Sequence, residues 1–540
     1  MKAKHLVWAR RISQAFFLLL FLFLLIESRL PQDIFVDYSL VFSAEQDLAL
    51  HQPIKFFFEL SPLVGLSSLV SGYRIINGIL WGAGVLILTV LLGRVFCGFV
   101  CPFGTIHHLV SWVKPSLKGD LMVKANQKTR SQRIKYFVLI ALFVGAVMGL
   151  NMVGLLDPIS FLFRSLALSV LPGVGVGLRA LFDVMASSDI KVFNYLSYGA
   201  EVMASPVFGY SDQAYQGAWF IGVLFLIILF LNRIRPRFWC RTLCPLGALL
   251  GLCARVSILR LEKDHDKCTN CQLCVKSCQG AASPIPGEKW ENAECLACFN
   301  CFHACPENAL SFRFSWPPGL NPRPDMGRRA VLGGLVAGVS FPFLGRLDGQ
   351  LSKVSDPRLI RPPGSLPEDD FLTLCQRCGL CMKACPTNVI NPAFTEAGMA
   401  GFWTPRLIMT MGYCEYTCTL CGGVCPTGAI ENISVKEKIR RPIKIGSAYV
   451  DRGRCLPWSG NAPCIVCEEH CPTSPKAIYL KEERVIAPDG KTMAVQLPFV
   501  DLRKCTGCGI CENKCPVMGL AAIRIIAAGE SRSLRNQILL

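Results

Sequence analysis

The sequence contains no C-x-x-C-H motif, although it has 29 cysteines. A covalent c-type haem needs that motif, so haem attachment to this chain is excluded and any haem partner is a separate protein. Charged residues are also scarce, at 17% of the chain, whereas 52% of the residues are hydrophobic. A chain of 540 residues is too long for one core. Together with its hydrophobicity, this excludes a wholly soluble protein and places part of the chain in lipid.

The formal net charge is +18. In a soluble protein such a charge would suggest nucleic-acid binding. Here the Lys and Arg residues gather beside apolar segments, where they orient membrane helices against the cytoplasmic leaflet. We therefore expect no nucleic-acid partner.

Four apolar runs are candidate membrane spans, at residues 14–26, 75–93, 136–154 and 217–231. Each can cross a hydrocarbon core of roughly 30 Å with some tilt. The first run has a basic flank that also suits a signal peptide, but no small-residue cleavage site follows it, so we interpret it as a span. Loops 27–74 and 155–216 are poor in Lys and Arg, which predicts that the N-terminus, the central loop and the end of the fourth span are cytoplasmic.

An internal repeat organises this half of the chain. Residues 59–63 and 96–104 form the first copy, and residues 157–159 and 239–247 the second. Each copy ends in C-x3-C-P, and an axis along the membrane normal would bring the two copies together. The four cysteines are a candidate additional redox or metal site, and the alternative is thiols that only pack: Cys97, Cys101, Cys240 and Cys244.

Proton transfer to or from a quinone would need titratable groups near this repeat. Glu59 and Asp157, interpreted as equivalent positions near the outer face, are candidate proton acceptors. His107 and His108 near the first cysteine pair are alternatives. Each of these residues could equally have only a loop or interface role.

The other cysteines form six quartets, and only Cys253 is left over. Their spacing is that of ferredoxin-type 4Fe-4S ligands, whereas zinc sites usually pair two knuckles across a longer gap. Six clusters are expected, with these ligands: Cys268, Cys271, Cys274 and Cys278; Cys295, Cys298, Cys301 and Cys305; Cys375, Cys378, Cys381 and Cys385; Cys414, Cys418, Cys421 and Cys425; Cys455, Cys464, Cys467 and Cys471; Cys505, Cys508, Cys511 and Cys515. The first two quartets should exchange their fourth ligand, whereas exchange among the other four stays open.

A segment between these modules begins with Arg328 and Arg329 and continues with Gly-rich apolar residues to about residue 344. Twin arginines before a short apolar region are typical of a twin-arginine export signal. No cleavage pattern follows, so we expect a fifth membrane anchor, the alternative being a membrane-associated hairpin or a buried core helix.

We therefore predict a multi-domain chain. Its parts are an α-helical transmembrane domain of about four spans at 1–260, a two-cluster module at 261–316, a Pro-rich linker with the anchor at 317–364, and a four-cluster domain at 365–540. Both iron-sulfur modules should have a ferredoxin-like α+β fold.

The residues quoted above resemble two related families. The membrane half, with its two C-x3-C-P motifs and two ferredoxin motifs, is similar to NapH, a membrane quinol-dehydrogenase subunit of periplasmic nitrate reduction. The run from Leu359 through Cys375 to Pro386 is similar to the start of NapG, the iron-sulfur partner of NapH. The resemblance implies a natural fusion in the order NapH then NapG, located in the bacterial inner membrane. It also implies that residues 261–316 are cytoplasmic and 350–540 periplasmic.

The function so implied is the quinol-dehydrogenase component of a larger redox complex. Electrons from membrane quinol would pass through the clusters to a periplasmic partner such as a cytochrome c or a reductase. The alternatives are flow in the reverse direction from a cytoplasmic ferredoxin, a metal-reducing cofactor-maturation factor, and a tether for a partner reductase that is not itself an enzyme. A membrane core of roughly 30 Å is too wide for direct transfer without an intermediate quinone or centre.

Overall fold

The computed structural model describes residues 3–28, 54–76, 78–113, 119–188, 191–208, 213–282, 290–316, 327–351, 356–440, 442–460, 462–486, 492–533 and 536. They form two compact units. The first unit comprises Met1–Glu27, Pro53–Leu166 and Trp219–Phe343. The second comprises Ser28–Gln52, Ala167–Ala218 and Leu344–Leu540. The helical segment 167–218 thus groups with the four-cluster domain, which differs from the predicted boundary at residue 260.

The described residues of the first unit are mainly helical and include one antiparallel strand pair. Its helices are α1 Ala3–Glu27, α2 Lys55–Glu59, α3 Pro62–Gly72, α4 Ile79–Leu92, α5 Pro102–Val113, α6 Asp120–Asn126, α7 Ile134–Val147, α8 Val153–Leu156 and α9 Pro158–Ser165. After α10 Leu171–Ala186 and α11 Lys191–Phe208 of the second unit come α12 Ala218–Phe230, α13 Phe238–Thr242, α14 Pro245–Ala254, α15 Leu273–Lys276, α16 Asn300–Ala304 and α17 Arg328–Leu351. Strands β1 Leu259–Lys263 and β2 Leu310–Phe314 pair in the register Leu259↔Phe314.

The four-cluster domain has short helices and two-stranded sheets. Its helices are α18 Glu368–Leu374, α19 Leu380–Ala384, α20 Leu420–Gly423, α21 Val435–Arg440, α22 Val466–Glu469 and α23 Ile510–Asn513. Strand β3 Ile390–Pro392 pairs with β4 Pro405–Leu407, β5 Ser447–Val450 with β8 Ile523–Ile526, and β6 Ile478–Ile486 with β7 Thr492–Val500, all antiparallel.

Two of the described helices are long and apolar enough to cross a membrane, Lys4–Glu27 and Pro158–Ala186. The first matches a predicted span, whereas the second lies in a predicted loop. The other predicted spans correspond to α4, α7 and α12, of 14, 14 and 13 residues, or roughly 20 Å each. The predicted count of four spans is therefore not confirmed. Glycines limit two of these helices, because Gly93 (φ 77°) ends α4 and Gly149 (φ 80°) follows α7.

The two repeat copies meet in the core of the first unit. Ser61 and Asp157 are N-cap residues, each followed by a proline at the first helical position. The Ser61 hydroxyl donates to Asp157 Oδ1 at 2.9 Å. Toward the cysteine motifs the core is aromatic, and the ring of Phe161 stacks on Trp239 at 5.0 Å between centroids. The motifs thus rest on a packed hydrophobic layer.

The helix that begins with the twin arginines packs against α7 through glycines. Gly334 and Gly338 are one helical turn apart on α17. A Cβ on Gly338 would lie 2.6 Å from Cβ of Val144, and one on Gly334 would lie 3.2 Å from Cγ2 of Ile140. Such small-residue contacts let two helix backbones approach closely, as in membrane helix pairs.

In the second unit, residues 213–217 lie on the four-cluster domain. The Gln216 N–H donates to Asn391 Oδ1 at 2.9 Å, and Arg406 donates to Gln216 Oε1 at 2.7 Å. The part of the predicted loop after residue 166 therefore belongs to the same unit as the C-terminal clusters.

Candidate metal centres

Two ligand sites lie next to β1 and β2 in the first unit. Each cavity is lined by three cysteines of one motif and the last cysteine of the other. The sites are Cys268, Cys271, Cys274 and Cys305, and Cys295, Cys298, Cys301 and Cys278. This is the exchange that the spacing predicts for this pair.

The first two motifs of the four-cluster domain exchange ligands in the same way. Burial raises the pKa of Cys381 most. The neighbouring thiols that raise it further are, in decreasing order, Cys378, Cys375, Cys425 and Cys421, and Cys425 ranks first among those of the following motif. In addition to burial, the thiol of Cys385 in turn raises the pKa of Cys418, which belongs to the following motif. We name these sites A (Cys375, Cys378, Cys381, Cys425) and B (Cys414, Cys418, Cys421, Cys385).

The last two motifs form a second exchanged pair. Cys455, Cys464, Cys467 and Cys515 line one cavity, which we name site C. Burial is the largest cause that raises the pKa of Cys511. The neighbouring thiols that raise it further include Cys508, Cys505 and Cys471. Cys505, Cys508, Cys511 and Cys471 are site D. The spacing alone left open which motifs pair, and the structure pairs neighbours along the chain.

Sites B and D adjoin each other. The Cys414 N–H donates to the Cys508 carbonyl at 2.8 Å. The four sites therefore form one series in the order A, B, D, C, which differs from their order in the sequence. A series of neighbouring redox centres can carry electrons, whereas isolated centres cannot.

One buried ammonium group lies against site B. Lys438, which is 8% exposed, donates to the carbonyls of Glu415 (2.7 Å) and Cys418 (2.8 Å). Its Nζ is also 3.6 Å from Cys414 Sγ. Three acceptors match the three N–H groups of a lysine. Sequence reasoning missed Lys438 because it lies thirteen residues beyond the nearest cysteine, Cys425, and carries no motif.

Burial also affects the ligand thiols themselves. It raises the pKa of both Cys418 and Cys508 to about 12. Without metal these thiols are protonated at neutral pH, so metal binding must displace their protons.

The four C-x3-C-P cysteines come together in the first unit, and we name them the axial quartet. All four are buried, at 4–9% exposure. Cys101 interacts electrostatically with Cys97 and Cys240, and Cys244 with all three others. The quartet thus takes two thiols from each repeat copy, as the repeat predicts.

The two copies hold the second cysteine of each motif in the same local geometry. The Cys101 N–H donates to Phe96 O at 2.9 Å and the Cys244 N–H to Trp239 O at 3.0 Å, in both cases to the fifth preceding residue. In the second copy, the Cys244 thiol caps α14 by accepting from the Gly247 N–H at 3.2 Å. A thiolate at a helix N-terminus is stabilised by the helix dipole.

The proposed proton acceptors are not brought together with the quartet. Asp157 is fully buried and accepts hydrogen bonds from Ser61 and from the backbone and hydroxyl of Ser160. Because each helix begins at its proline, Ser61 and not Glu59 is the repeat equivalent of Asp157, and the predicted equivalence is wrong by two residues. Glu59 is half-buried at the end of α2.

The two histidines differ in environment. His107 is fully buried, and its Nδ1 hydrogen bonds with the side-chain amide of Asn232. His108 is half-buried. The pairing with Asn232 fixes the ring of His107 in the core, which favours the interface interpretation for this residue.

A buried carboxylate that the sequence did not reveal precedes ligand Cys295. Glu294 accepts from the Tyr136 hydroxyl at 2.9 Å, pairs with Lys135, and lies 3.6 Å from the guanidinium of Arg94. Glu294 and Tyr136 also line a cavity of about 200 Å³. Glu294 thus places a buried carboxylate, hydrogen bonded to the Tyr136 phenol, directly before Cys295 in the chain.

No group of three or more Cys, His, Asp or Glu in the described ranges is arranged to hold a single metal ion. This holds for the ferredoxin quartets as well as for the axial quartet. An iron-sulfur cluster is larger than one ion, and the cysteine-only ligand sets suit it.

Known families match both units. A family described as "4Fe-4S binding domain" matches residues 75–119 and 215–262, a "4Fe-4S dicluster domain" matches residues 374–429, and another "4Fe-4S binding domain" matches residues 498–519. No solved structure matches the chain. The family descriptions support iron-sulfur clusters in this protein.

Curated relatives match about a third to a half of the chain. The methylamine utilization ferredoxin-type protein MauM of Methylorubrum extorquens is 38% identical over 175 residues, 32% of this chain and 74% of MauM. The ferredoxin-type protein NapG of Escherichia coli is 36% identical over 214 residues, 38% of this chain and 87% of NapG. The uncharacterized protein MJ0749 of Methanocaldococcus jannaschii is 29% identical over 258 residues, 47% of this chain and 78% of that protein. With cysteine sites that exchange ligands and relatives of this similarity, the chain belongs to the family of ferredoxin-type iron-sulfur electron-transfer proteins that includes MauM and NapG.

Proposed function

We propose that this protein oxidises membrane quinol through its first unit and passes the electrons through 4Fe-4S clusters to a periplasmic redox partner. It would be a fusion of a NapH-like membrane part with a NapG-like part, and the electron-transfer component of a larger complex. Bound clusters would supply one-electron redox chemistry, and the protein would supply the thiolates, their spacing and the surrounding charges.

The observation that carries this proposal is the series A, B, D, C. The Cys414–Cys508 backbone contact joins two exchanged pairs in a single path. A cofactor-maturation factor needs few electrons and has no use for a series of four centres. A simple tether needs no redox series at all.

Two contacts support a membrane-bound arrangement with the four-cluster domain outside. The loop that precedes α12 was predicted to be periplasmic, and its Gln216 is hydrogen bonded to Asn391 of the four-cluster domain. The glycine face of α17 packs on α7 in the manner of membrane helices. A twin-arginine signal at the start of α17 is consistent with export of a domain that carries folded cofactors.

A quinol gives up two electrons and two protons, whereas each cluster accepts one electron. The protein must therefore hold a proton acceptor close to its first centre. Glu294 meets this need, since it borders a polar cavity and directly precedes a cluster ligand. Its hydrogen bond with Tyr136 gives a proton leaving the substrate a path to the carboxylate.

The test uses the full-length protein, purified without oxygen and placed in liposomes. Menaquinol and ubiquinol analogues are added separately, and the visible absorbance of the clusters is followed. We expect one of the quinols to bleach part of the absorbance, and dithionite to bleach the remainder. If dithionite reduces the clusters but no quinol does, quinol is not the donor. Cys253→Ser serves as the control variant, because Cys253 belongs to no quartet.

A further inference from the structure

Arg10, on helix α1, is a fully buried arginine whose guanidinium group has no partner. Its side chain is 0% exposed, and within the described residues its Nε, Nη1 and Nη2 atoms have no hydrogen-bond partner. A guanidinium group carries five N–H donors and stays charged in proteins. Burying such a group without acceptors is costly, so we expect an anionic acceptor beside it.

Two hydrogen bonds fix the face of α1 that carries Arg10. Arg10, Ser13 and Gln14 share this face, because residues three and four apart are neighbours on a helix. Ser13 Oγ donates to the Phe99 carbonyl at 3.1 Å, and Gln14 Nε2 donates to the Gly98 carbonyl at 2.7 Å. The position of Arg10 is therefore set by contacts with a segment far along the chain.

This segment lies in turn on one site of the ferredoxin pair, which we name site E: Cys278, Cys295, Cys298 and Cys301. Gly98 packs so closely on the carbonyl of Leu296 that a Cβ would clash with it. The rings of Phe99 and Phe299 are in edge contact at 6.4 Å between centroids. Helix α1 also packs against α16, which carries a ligand of site E. Arg10 thus belongs to the surroundings of site E.

The charges around Arg10 indicate which anion it faces. Arg10 interacts electrostatically with the thiol of Cys298, a ligand of site E. Arg11 and Arg237, which also act on Arg10, carry the same positive charge and do not compensate it. An iron-sulfur cluster held by four thiolates is anionic, and its sulfurs accept hydrogen bonds. The cluster at site E therefore suits the donors of Arg10.

Two other arginines near site E have partners of their own. Arg94 and Arg241 interact electrostatically with ligands of this site. Arg94 lies 3.6 Å from the carboxylate of Glu294, and Arg241 donates to two backbone carbonyls at 3.0 and 3.2 Å. Arg10 differs from both, because none of its nitrogens is hydrogen bonded to a described residue.

The other site of the pair, which we name site F, has no such need: Cys268, Cys271, Cys274 and Cys305. Three of the four ligands of site E are buried, whereas at site F none is buried and Cys271 is exposed. Reduction adds negative charge to a cluster, and water stabilises this charge at an exposed site. At a buried site a fixed positive charge can do so instead. We propose that Arg10 is the counter-charge of the cluster at site E and raises its midpoint potential.

The test compares two neighbouring arginines in the full-length protein, reconstituted without oxygen. Arg11 is exposed and lies 5.8 Å from the ring centroid of Trp8, so Arg11→Gln is the matched control. In a redox titration followed by electron paramagnetic resonance, Arg10→Gln should lower the midpoint potential of one cluster. At a fixed potential its reduced-to-oxidised ratio should fall roughly tenfold, or about 59 mV for one electron. Arg11→Gln should leave every potential unchanged.

Two further variants identify the cluster and separate charge from shape. Cys298→Ser should alter or remove the signal that Arg10→Gln shifts, and an unaltered signal would contradict the assignment to site E. Arg10→Lys should keep most of the wild-type potential, because it keeps the positive charge. Equal potentials in Arg10→Gln and Arg11→Gln, or an equal shift of all clusters, would overturn the proposal.

Loss of the cluster is a separate outcome of the same experiment. If Arg10→Gln lacks about four iron atoms, retention of them in Arg10→Lys would support the counter-charge, whereas loss in both variants would contradict it. The inference rests on the iron-sulfur chemistry of the chain, which the proposed function shares, but not on quinol as the donor. Failure of the quinol assay would therefore leave these potentials unaffected.

Discussion

The axial quartet and the four-cluster domain both bring groups of four thiols together, but they do so in different ways. In the four-cluster domain each site takes three thiols from one short loop and one from the neighbouring motif. The axial quartet takes two thiols from each of two motifs about 140 residues apart, held by helices of the repeat. A ferredoxin site is therefore largely local, whereas the axial site exists only if both repeat copies pack against each other.

The surrounding charges differ as well. One buried arginine from each repeat copy lies beside the quartet, since Arg237 donates to the Cys97 carbonyl at 3.2 Å and Arg94 lies against Gly247. Site B has instead Lys438, which belongs to no repeat. Duplication thus generates a symmetric site with symmetric charges. Lys438 has no counterpart in a repeat, so it can give site B a midpoint potential of its own.

The largest expected effect concerns ligand exchange between sites A and B. Cys425→Ser removes a ligand of site A, although Cys425 belongs to the motif of site B. Combined with Cys378→Ser, it should cost about four iron atoms in total, because both changes affect one cluster. Combined with Cys418→Ser, it should cost about eight. Iron and sulfide analysis distinguishes these outcomes, and the reverse pattern would show that the two motifs keep their own ligands.

An intermediate effect, on the midpoint potential of one cluster, is expected when Lys438 is replaced. Replacing it with Met removes a positive charge next to Cys414 Sγ and should lower the midpoint potential of one cluster. At a fixed potential its reduced-to-oxidised ratio should fall roughly tenfold, or about 59 mV for one electron. The check is a redox titration followed by electron paramagnetic resonance.

The exposed Lys436 on the same helix provides the matched control, and Lys436→Met should leave all potentials unchanged. Lys438→Arg should retain most of the wild-type potential. Equal shifts in every cluster, or none, would argue against a specific role of Lys438.

The smallest effect is expected where the repeat copies meet. Asp157→Ala removes the cap of α9 and the contact with Ser61 and should cost about 1–2 kcal/mol. Ser61→Ala removes only the shared hydrogen bond and should cost about 1 kcal/mol. Thermal loss of cluster absorbance in detergent should show a lower Tm for both variants, with Asp157→Ala the lower. The exposed Ser187→Ala is the control. An Asp157→Ala protein as stable as this control would mean that the contact does not hold the copies together.

Much of the candidate site could be predicted from residue spacing. The ligand cysteines, the first exchanged pair and the meeting of the axial quartet follow from motifs, because metal ligands need particular residues at particular intervals. The equivalence of Glu59 and Asp157 was wrong because charge was matched instead of the helix-starting prolines. The span count was not confirmed because hydropathy does not show where Gly93 and Gly149 turn the chain.

By itself the sequence determined that this protein is a cysteine-rich iron-sulfur chain with a duplicated apolar half, since composition and local spacing carry that information. Only the tertiary structure decided that site B adjoins site D, that Lys438 lies against Cys414, and that Arg94 and Arg237 cross to the opposite repeat copies. These features depend on contacts between residues far apart in the chain, and such contacts arise from packing, which no local pattern encodes.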